Sequence, residues 1–232
     1  MRTITALLAA SAMALTATPA FAAPSTNTRP PAPVVTRADI DGDGRPDTIR
    51  VARRSVTDEQ YVFRITVETA AGKRAIRDAL VANYDDGSLA PADVWGGTAH
   101  LDGVRGAEML MDLGGGVGDA PWPHLYTWRN GRIIPAPAPG ATAANPAWDT
   151  MAHWGRMSGY TVSTVKGQRR ITVHALTGRF DRTGETVTYR GTHTTYRWHR
   201  GTWQKISTTR SGTLNENKAY DYAGWNGITW RG

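Results

Sequence analysis

Short turns that end in glycine separate strand-like segments of this sequence, and they constrain the fold more than any other feature. Three such turns are Asn130-Gly131, Lys166-Gly167 and Arg200-Gly201. A two-residue hairpin turn needs a positive φ at its central residues, which glycine and asparagine adopt most easily. These turns predict antiparallel hairpins over residues 125–134, 160–176 and 186–206.

Further strands are predicted from alternation and from short apolar runs. Every second residue from Tyr61 to Val67 is apolar or aromatic, which is typical of a half-buried strand. Gly72-Lys73 predicts a turn, after which residues 75–80 return as the partner strand. Glu108–Leu113 is a further short strand, and only Leu214–Tyr222 has a helical pattern. We therefore expect an all-β chain of antiparallel hairpins and meanders with one short C-terminal helix.

Two aromatic hairpins share one sequence pattern. Tyr126–Ile133 and Tyr196–Trp203 both contain Tyr-x-Trp-x-x-Gly, 70 positions apart. A true repeat would indicate propeller-blade-like units or a partial propeller. Convergence of hairpin chemistry explains the pattern equally well.

The chain divides by composition into five segments. Arg2, the apolar stretch 4–17 and the small residues around Ala20–Ala22 predict a signal peptide over residues 1–22. A Pro/Ala-rich tail is expected over 23–38, a β subdomain over 39–134, a Pro/Ala/Gly-rich linker or long loop over 135–146, and a second β subdomain over 147–232. The protein is accordingly expected to be secreted, with no membrane span.

Composition excludes several classes of site. The 232 residues include no cysteine, which rules out disulfides, thiol nucleophiles and cysteine-ligated metals. Hydrophobic residues make up 40% of the chain, which is enough for a packed core without disulfides.

An acidic segment, Asp39–Asp47, is the most specific local motif. Carboxylates occupy loop positions 1, 3, 5 and 9, and Gly44 stands at position 6. Calcium takes six to eight oxygen ligands, and alternating aspartates in a tight loop direct oxygens to one centre. The predicted ligands of a structural calcium ion are the side chains of Asp39, Asp41, Asp43 and Asp47 and the backbone carbonyl of Arg45.

The segment is not an EF-hand. Position 12 is Arg50, where an EF-hand has a bidentate glutamate. Pro46 and the β-prone residues 48–51 also favour a strand after the loop. The alternative to a calcium loop is a solvated acidic turn between two strands.

The motif Asp39-x-Asp41-Gly42-Asp43-Gly44-x-Pro46-Asp47, followed by Thr48–Val51, resembles the FG-GAP/VCBS-type repeats of extracellular proteins, including the calcium loops of integrin α subunits. A weaker copy runs over Leu101–Leu110, with Asp102 and Glu108 at the positions of Asp41 and Asp47. His100 and Val104 replace two ligand positions there, so no metal is assigned to it. The resemblance implies an extracellular, calcium-stabilised β fold.

Catalytic signatures are weak. The chain has no Gly-x-Ser-x-Gly motif, and the glycine-rich segment 114–118 is followed by prolines rather than by a phosphate-binding helix. None of the six histidines has the spacing of a metalloprotease site, and we interpret them as ordinary strand residues. Glycosidase carboxylates cannot be identified from spacing, and nothing selects among the candidates Asp85, Asp86, Asp93, Glu108 and Asp112.

Charge and aromatic content suggest a binding surface. The net charge is +7, arginine far outnumbers lysine, and the chain has nine tryptophans. These residues either build a β core with an arginine-covered surface or bind a cell-wall glycan or anionic polymer. Nucleic acid is not an expected partner, and the oligomeric state is not predicted. We expect a non-catalytic binding or scaffolding role at the cell surface or wall; the alternative is an extracellular hydrolase acting on a polysaccharide or phosphoester.

Overall fold

A computed structural model describes six stretches of the chain: residues 30–57, 59–82, 89–113, 123–141, 147–153 and 155–232. The predicted signal peptide, 1–22, and most of the proline-rich tail lie outside them. So do the glycine-rich segment 114–118 and the candidate carboxylates Asp85 and Asp86.

The first sheet is a four-stranded antiparallel meander. Its strands are β1 (Val34–Ala38), β2 (Asp47–Val56), β3 (Gln60–Glu68) and β4 (Arg74–Ala82), paired in sequence order. The alternating residues of β3 are buried on one face, as their pattern predicts.

The second sheet repeats this layout. A single helical turn, α1 (Pro91–Val94), precedes β5 (Trp95–Ala99), β6 (Glu108–Asp112), β7 (Pro123–Arg129) and β8 (Arg132–Pro135). The four strands again pair in sequence order. The predicted hairpin is present, and its turn has φ values of 52° at Asn130 and 76° at Gly131.

The third sheet contains seven strands. Its strands are β9 (Ala152–His153), β10 (Arg156–Val165), β11 (Gln168–Phe180), β12 (Val187–His199), β13 (Thr202–Arg210), β14 (Leu214–Asn215) and β15 (Gly224–Asn226). The hairpins predicted around Lys166-Gly167 and Arg200-Gly201 both form, and each turn has positive φ at both residues. The main path runs β13-β12-β11-β10-β15, and β15 pairs with β10 in parallel.

The all-β prediction is confirmed, with one addition at the helices. The C-terminal helix, α2, spans Glu216–Tyr220 and starts after Asn215, whose side chain accepts a 2.9 Å bond from the Lys218 N–H. The short α1 turn was not predicted from the sequence. It begins at Pro91, which fits the first helical position because proline lacks an N–H group.

The three sheets are stacked, with the second sheet in the middle. Met109 and Met111 of β6 pack into a core shared with the first sheet. Leu110 and Leu125, on the opposite face, pack into a core shared with Tyr160 and the third sheet. The change of sheet falls between residues 135 and 152, near the predicted linker. Because the second and third sheets share a core, the division into subdomains stays a prediction.

Neither helix in the described part of the chain is long and apolar enough to cross a membrane.

Candidate metal centre

The acidic motif forms the connection between β1 and β2. Ala38 and Asp47 are the paired residues that close it. Gly42 and Gly44 have φ values of 81° and 84°, a region that residues with a side chain rarely adopt. These two glycines let the chain coil tightly enough to bring alternating aspartates to one side.

Asp47 is the internal anchor of the loop. Its side chain is fully buried, and one carboxylate oxygen, Oδ2, accepts bonds from the N–H groups of Ile40 at 2.7 Å and Asp41 at 3.1 Å. The other oxygen, Oδ1, accepts a 2.8 Å bond from the Ala70 N–H in the β3–β4 turn. Asp47 thus ties the loop to the first sheet, and its predicted role as a metal ligand stays a prediction.

The other three aspartates form one cluster. Asp39, Asp41 and Asp43 each offer a carboxylate oxygen, and these oxygens lie within 4.8 Å of one another. Asp39 and Asp41 are half-buried, and Asp43 is exposed. This group is the only set of three or more potential metal ligands found among the described residues.

Backbone N–H groups orient the cluster. The Asp39 carboxylate accepts bonds from Gly42 at 2.8 Å and Gly44 at 3.0 Å. Asp41 Oδ1 accepts a 3.2 Å bond from the Asp43 N–H, and Asp43 Oδ1 a 2.8 Å bond from the Arg45 N–H. The carboxylates are therefore held by the turn itself.

The aspartates of the cluster differ in how their negative charges are compensated. Burial, followed by the charges of Asp47 and the neighbouring aspartates, raises the pKa of Asp41. The Arg45 guanidinium bonds Asp43 Oδ2 through Nη2 at 2.6 Å and Nε at 3.0 Å, and it lowers the pKa of Asp43. Arg45 is thus the internal cation nearest to the cluster.

A second loop, residues 100–107, copies the first in the second sheet. Ala99 pairs with Glu108, just as Ala38 pairs with Asp47 61 positions earlier. The buried Glu108 accepts a 2.8 Å bond from the Leu101 N–H, which corresponds to the bond between Asp47 and Ile40.

The second loop lacks the carboxylates of a metal site. His100 and Val104 occupy the positions of Asp39 and Asp43. Asp102, the remaining acidic residue on its outer side, forms a 2.5 Å ion pair with Arg129. The second loop also coils differently: its positive φ values fall at Gly103 and Gly106, whereas the 61-position offset would place them at 103 and 105. The two loops therefore share the buried anchor but not the acidic cluster.

The two loops pack directly against each other. The Ala107 N–H donates a 2.8 Å bond to the Asp39 carbonyl. A Cβ atom added to Gly106 would lie 2.3 Å from the Ile40 carbonyl oxygen, and one added to Gly42 would lie 2.6 Å from Arg105 Cβ. The two loops are therefore in direct backbone contact.

Two of the carboxylates considered for hydrolysis, Asp93 and Glu108, have hydrogen-bond partners. Asp93 accepts a 2.8 Å bond from the Ala90 N–H at the start of α1. Burial, and secondarily the charge of Asp102, raises the pKa of Glu108 to about 7, but this side chain is enclosed between the sheets. Glu108 lacks the solvent access of a general acid, and Asp93, which is exposed, is bonded at the start of α1.

A histidine pair was missed by the sequence analysis. His174 and His193 are directly paired across β11 and β12, and their Nδ1 atoms are 2.7 Å apart. Burial, followed by the charge of His193, lowers the pKa of His174 to about 4. The pair is symmetric about the β11–β12 turn at residues 181–186, so locating that turn in the sequence would have predicted it.

Comparison with protein-family models, curated proteins and solved structures finds no match to this chain. The resemblance to FG-GAP/VCBS repeats therefore stays a prediction based on the loop residues.

Proposed function

We propose that the chain is a calcium-binding, extracellular β protein with a non-catalytic binding or scaffolding role. The observation that carries this proposal is the cluster of Asp39, Asp41 and Asp43, whose ligand oxygens lie within 4.8 Å of one another. Carboxylates at this spacing repel one another and are stabilised by a cation between them. Calcium is favoured because every side-chain atom that the cluster offers to a metal is an oxygen.

The residues present fit a calcium site of this kind. Asp39, Asp41 and Asp43 would supply carboxylate oxygens, and the Arg45 carbonyl would supply a further one. Water would complete the shell, because calcium takes six to eight ligands. The Arg45 guanidinium now pairs with Asp43, and calcium would compete with it for that carboxylate.

The metal would act as a structural element. The first loop contacts the second loop and the first sheet, so a bound ion would stabilise the junction between two stacked sheets. Binding to the folded state alone raises stability in proportion to the logarithm of the calcium concentration above Kd. Such a role suits a protein that works outside the cell and presents a surface to a partner.

Calorimetric titration of the calcium-free protein with Ca²⁺ tests this proposal. We expect one site in the wild type and a loss of affinity of at least tenfold in Asp41→Asn/Asp43→Asn. The matched control is Asp102→Asn, which changes the corresponding position of the second loop and should keep wild-type affinity. No heat of binding in the wild type, or an equal loss in the control, would contradict the proposal.

A further inference from the structure

A polar groove of about 480 Å³ lies where the second loop meets the tips of two hairpins of the third sheet. The loop forms one wall, and the β10–β11 and β12–β13 hairpins form the others. The lining residues that matter here are His100, Asp102, Arg169, Arg197, Trp198 and His199. A volume of this size is in the range of small-ligand sites.

Arg169 is fixed in the wall of this groove by neutral acceptors of the described residues. Its Nε and Nη2 atoms donate to the His100 carbonyl at 3.1 and 2.8 Å, and Nη1 donates to Thr164 Oγ1 at 3.2 Å. These acceptors are neutral. A guanidinium has five N–H groups, so donors are left for a ligand, and the side chain is already held in place.

The charge of Arg169 is not balanced by a neighbouring carboxylate. No carboxylate of the described residues forms an ion pair with Arg169. The acidic residue in the lining, Asp102, is already paired with Arg129 at 2.5 Å. Arg197 adjoins Trp198 on β12, so its side chain projects from the opposite face of the strand. Within the described part of the chain, an anionic ligand therefore meets one uncompensated arginine, Arg169.

Trp198 adds an aromatic surface to this charge. It is half-buried and packs edge to face against Trp203, with ring centroids 5.1 Å apart. The Trp203 indole N–H is bonded to the Pro137 carbonyl at 2.8 Å, which fixes the pair. Trp128 and Trp148, in contrast, are buried in the cores.

We propose that this groove binds a uronic-acid-bearing oligosaccharide, with Arg169 on a carboxylate and Trp198 on the apolar side of the same sugar ring. Arginine forks match carboxylates in a bidentate way, and indoles combine an apolar face with a polar edge. A sugar acid offers both features on one ring. This inference rests on the binding role proposed above and names its ligand class.

The test is a calorimetric titration with three probes in calcium-free buffer, because calcium itself links uronate chains. The probes are hexagalacturonate, its fully methyl-esterified form and inorganic tripolyphosphate. We expect the acidic sugar to bind, the ester to bind at least tenfold more weakly, and tripolyphosphate to bind more weakly than the sugar. The ester keeps the rings and masks the charge, and tripolyphosphate keeps charge without a ring.

Variants locate the site. We expect Arg169→Gln and Trp198→Ala each to weaken hexagalacturonate binding at least tenfold, and Trp198→Phe to keep most of the wild-type affinity. The matched control is Arg179→Gln, an exposed arginine in the same sheet but in a different surface groove, which should stay within twofold of the wild type. Melting temperatures of all variants, measured alongside, separate a loss of fold from a loss of ligand contacts.

Several results would overturn the inference. They are absence of hexagalacturonate binding, equal affinity for the ester, or an affinity within twofold of wild type in Trp198→Ala. Tighter binding of tripolyphosphate would also overturn it and assign the groove to a phosphate polymer. If hexagalacturonate does not bind but the calcium titration shows a site, only this inference is overturned. A calcium titration that fails while hexagalacturonate binds removes the calcium proposal alone.

Discussion

Replacing Asp47 by alanine should lower the free energy of unfolding more than replacing any aspartate of the cluster. The fully buried carboxylate accepts three backbone N–H bonds, from Ile40, Asp41 and Ala70. Removing it leaves three donors without that acceptor. Each such loss costs about 1–3 kcal/mol, the higher figure applying where water has no access.

The expected loss of stability follows from where these donors lie. The Ile40 bond is buried, and those of Asp41 and Ala70 are partly buried. Assigning about 2 kcal/mol to the first and about 1 kcal/mol to each of the others gives about 4 kcal/mol for Asp47→Ala. Asp47→Asn keeps one oxygen acceptor but turns an NH₂ group towards an N–H donor, so we expect about half that loss.

Urea unfolding in the presence of a chelator measures this effect without a contribution from calcium. The midpoint should fall while the slope of free energy against urea stays constant, because the surface exposed on unfolding is unchanged. The control is Asp43→Ala, whose solvent-exposed ion pair with Arg45 is expected to contribute little to stability. A loss below about 1 kcal/mol in Asp47→Ala would refute the anchoring role of this carboxylate.

Three further predictions concern the loops and the histidine pair. The pKa of His174 in the folded state, about 4, is below its ordinary value of 6.5. The free energy of unfolding should therefore be highest above pH 6.5 and fall by up to about 3 kcal/mol as the pH drops towards 4. Acid unfolding that is unchanged in His174→Gln would contradict this. Gly106→Ala, with φ at 97° and an added Cβ 2.3 Å from a backbone oxygen, should lower stability by about 2 kcal/mol or more in urea unfolding. Gly44→Ala has a similar φ but meets no atom within 4 Å, so its loss should be nearer about 1 kcal/mol, and equal losses would argue against the loop–loop contact. Calcium affinity should weaken as the pH falls, since the raised pKa of Asp41 makes its proton a competitor of the metal; calorimetry at two pH values in which affinity does not change would contradict this.

Local features of the fold were predictable from the sequence. Each hairpin turn is set by two adjacent residues, and Lys166-Gly167 and Arg200-Gly201 formed turns where their residue types placed them. The alternation from Tyr61 to Val67 also reports burial directly, because side chains alternate between the two faces of a strand.

Long-range pairing was not predictable in the same way. The parallel pairing of β15 with β10 joins residues more than 60 positions apart, and no local pattern encodes it. The repeated aromatic hairpins, 70 positions apart, lie in different sheets: one closes the second sheet and the other lies at an edge of the third. An internal similarity does relate the first sheet to the second: their loops begin and end at pairs of residues that are 61 positions apart. The weak copy at Leu101–Leu110 had indicated this offset.

The same distinction between local and long-range features applies to the candidate site. Asp39, Asp41 and Asp43 lie together because a tight turn places alternate residues on one side, so spacing alone was sufficient. The bond between Asp47 and Ala70 depends on a turn 23 positions away, and the groove around Arg169 depends on three distant segments. Spacing along the chain contains no information on such contacts.

The central claim is that calcium binds the first loop and stabilises the folded state. The most direct measurement is thermal unfolding of the protein in saturating Ca²⁺ and in chelator, for the wild type and for Asp41→Ala/Asp43→Ala. At a calcium concentration about 100 times Kd, the wild type should gain about 2.7 kcal/mol and a clear rise in Tm. The double variant should have the same Tm in both solutions. A wild-type Tm that does not respond to calcium would contradict the claim and reduce the loop to an acidic turn.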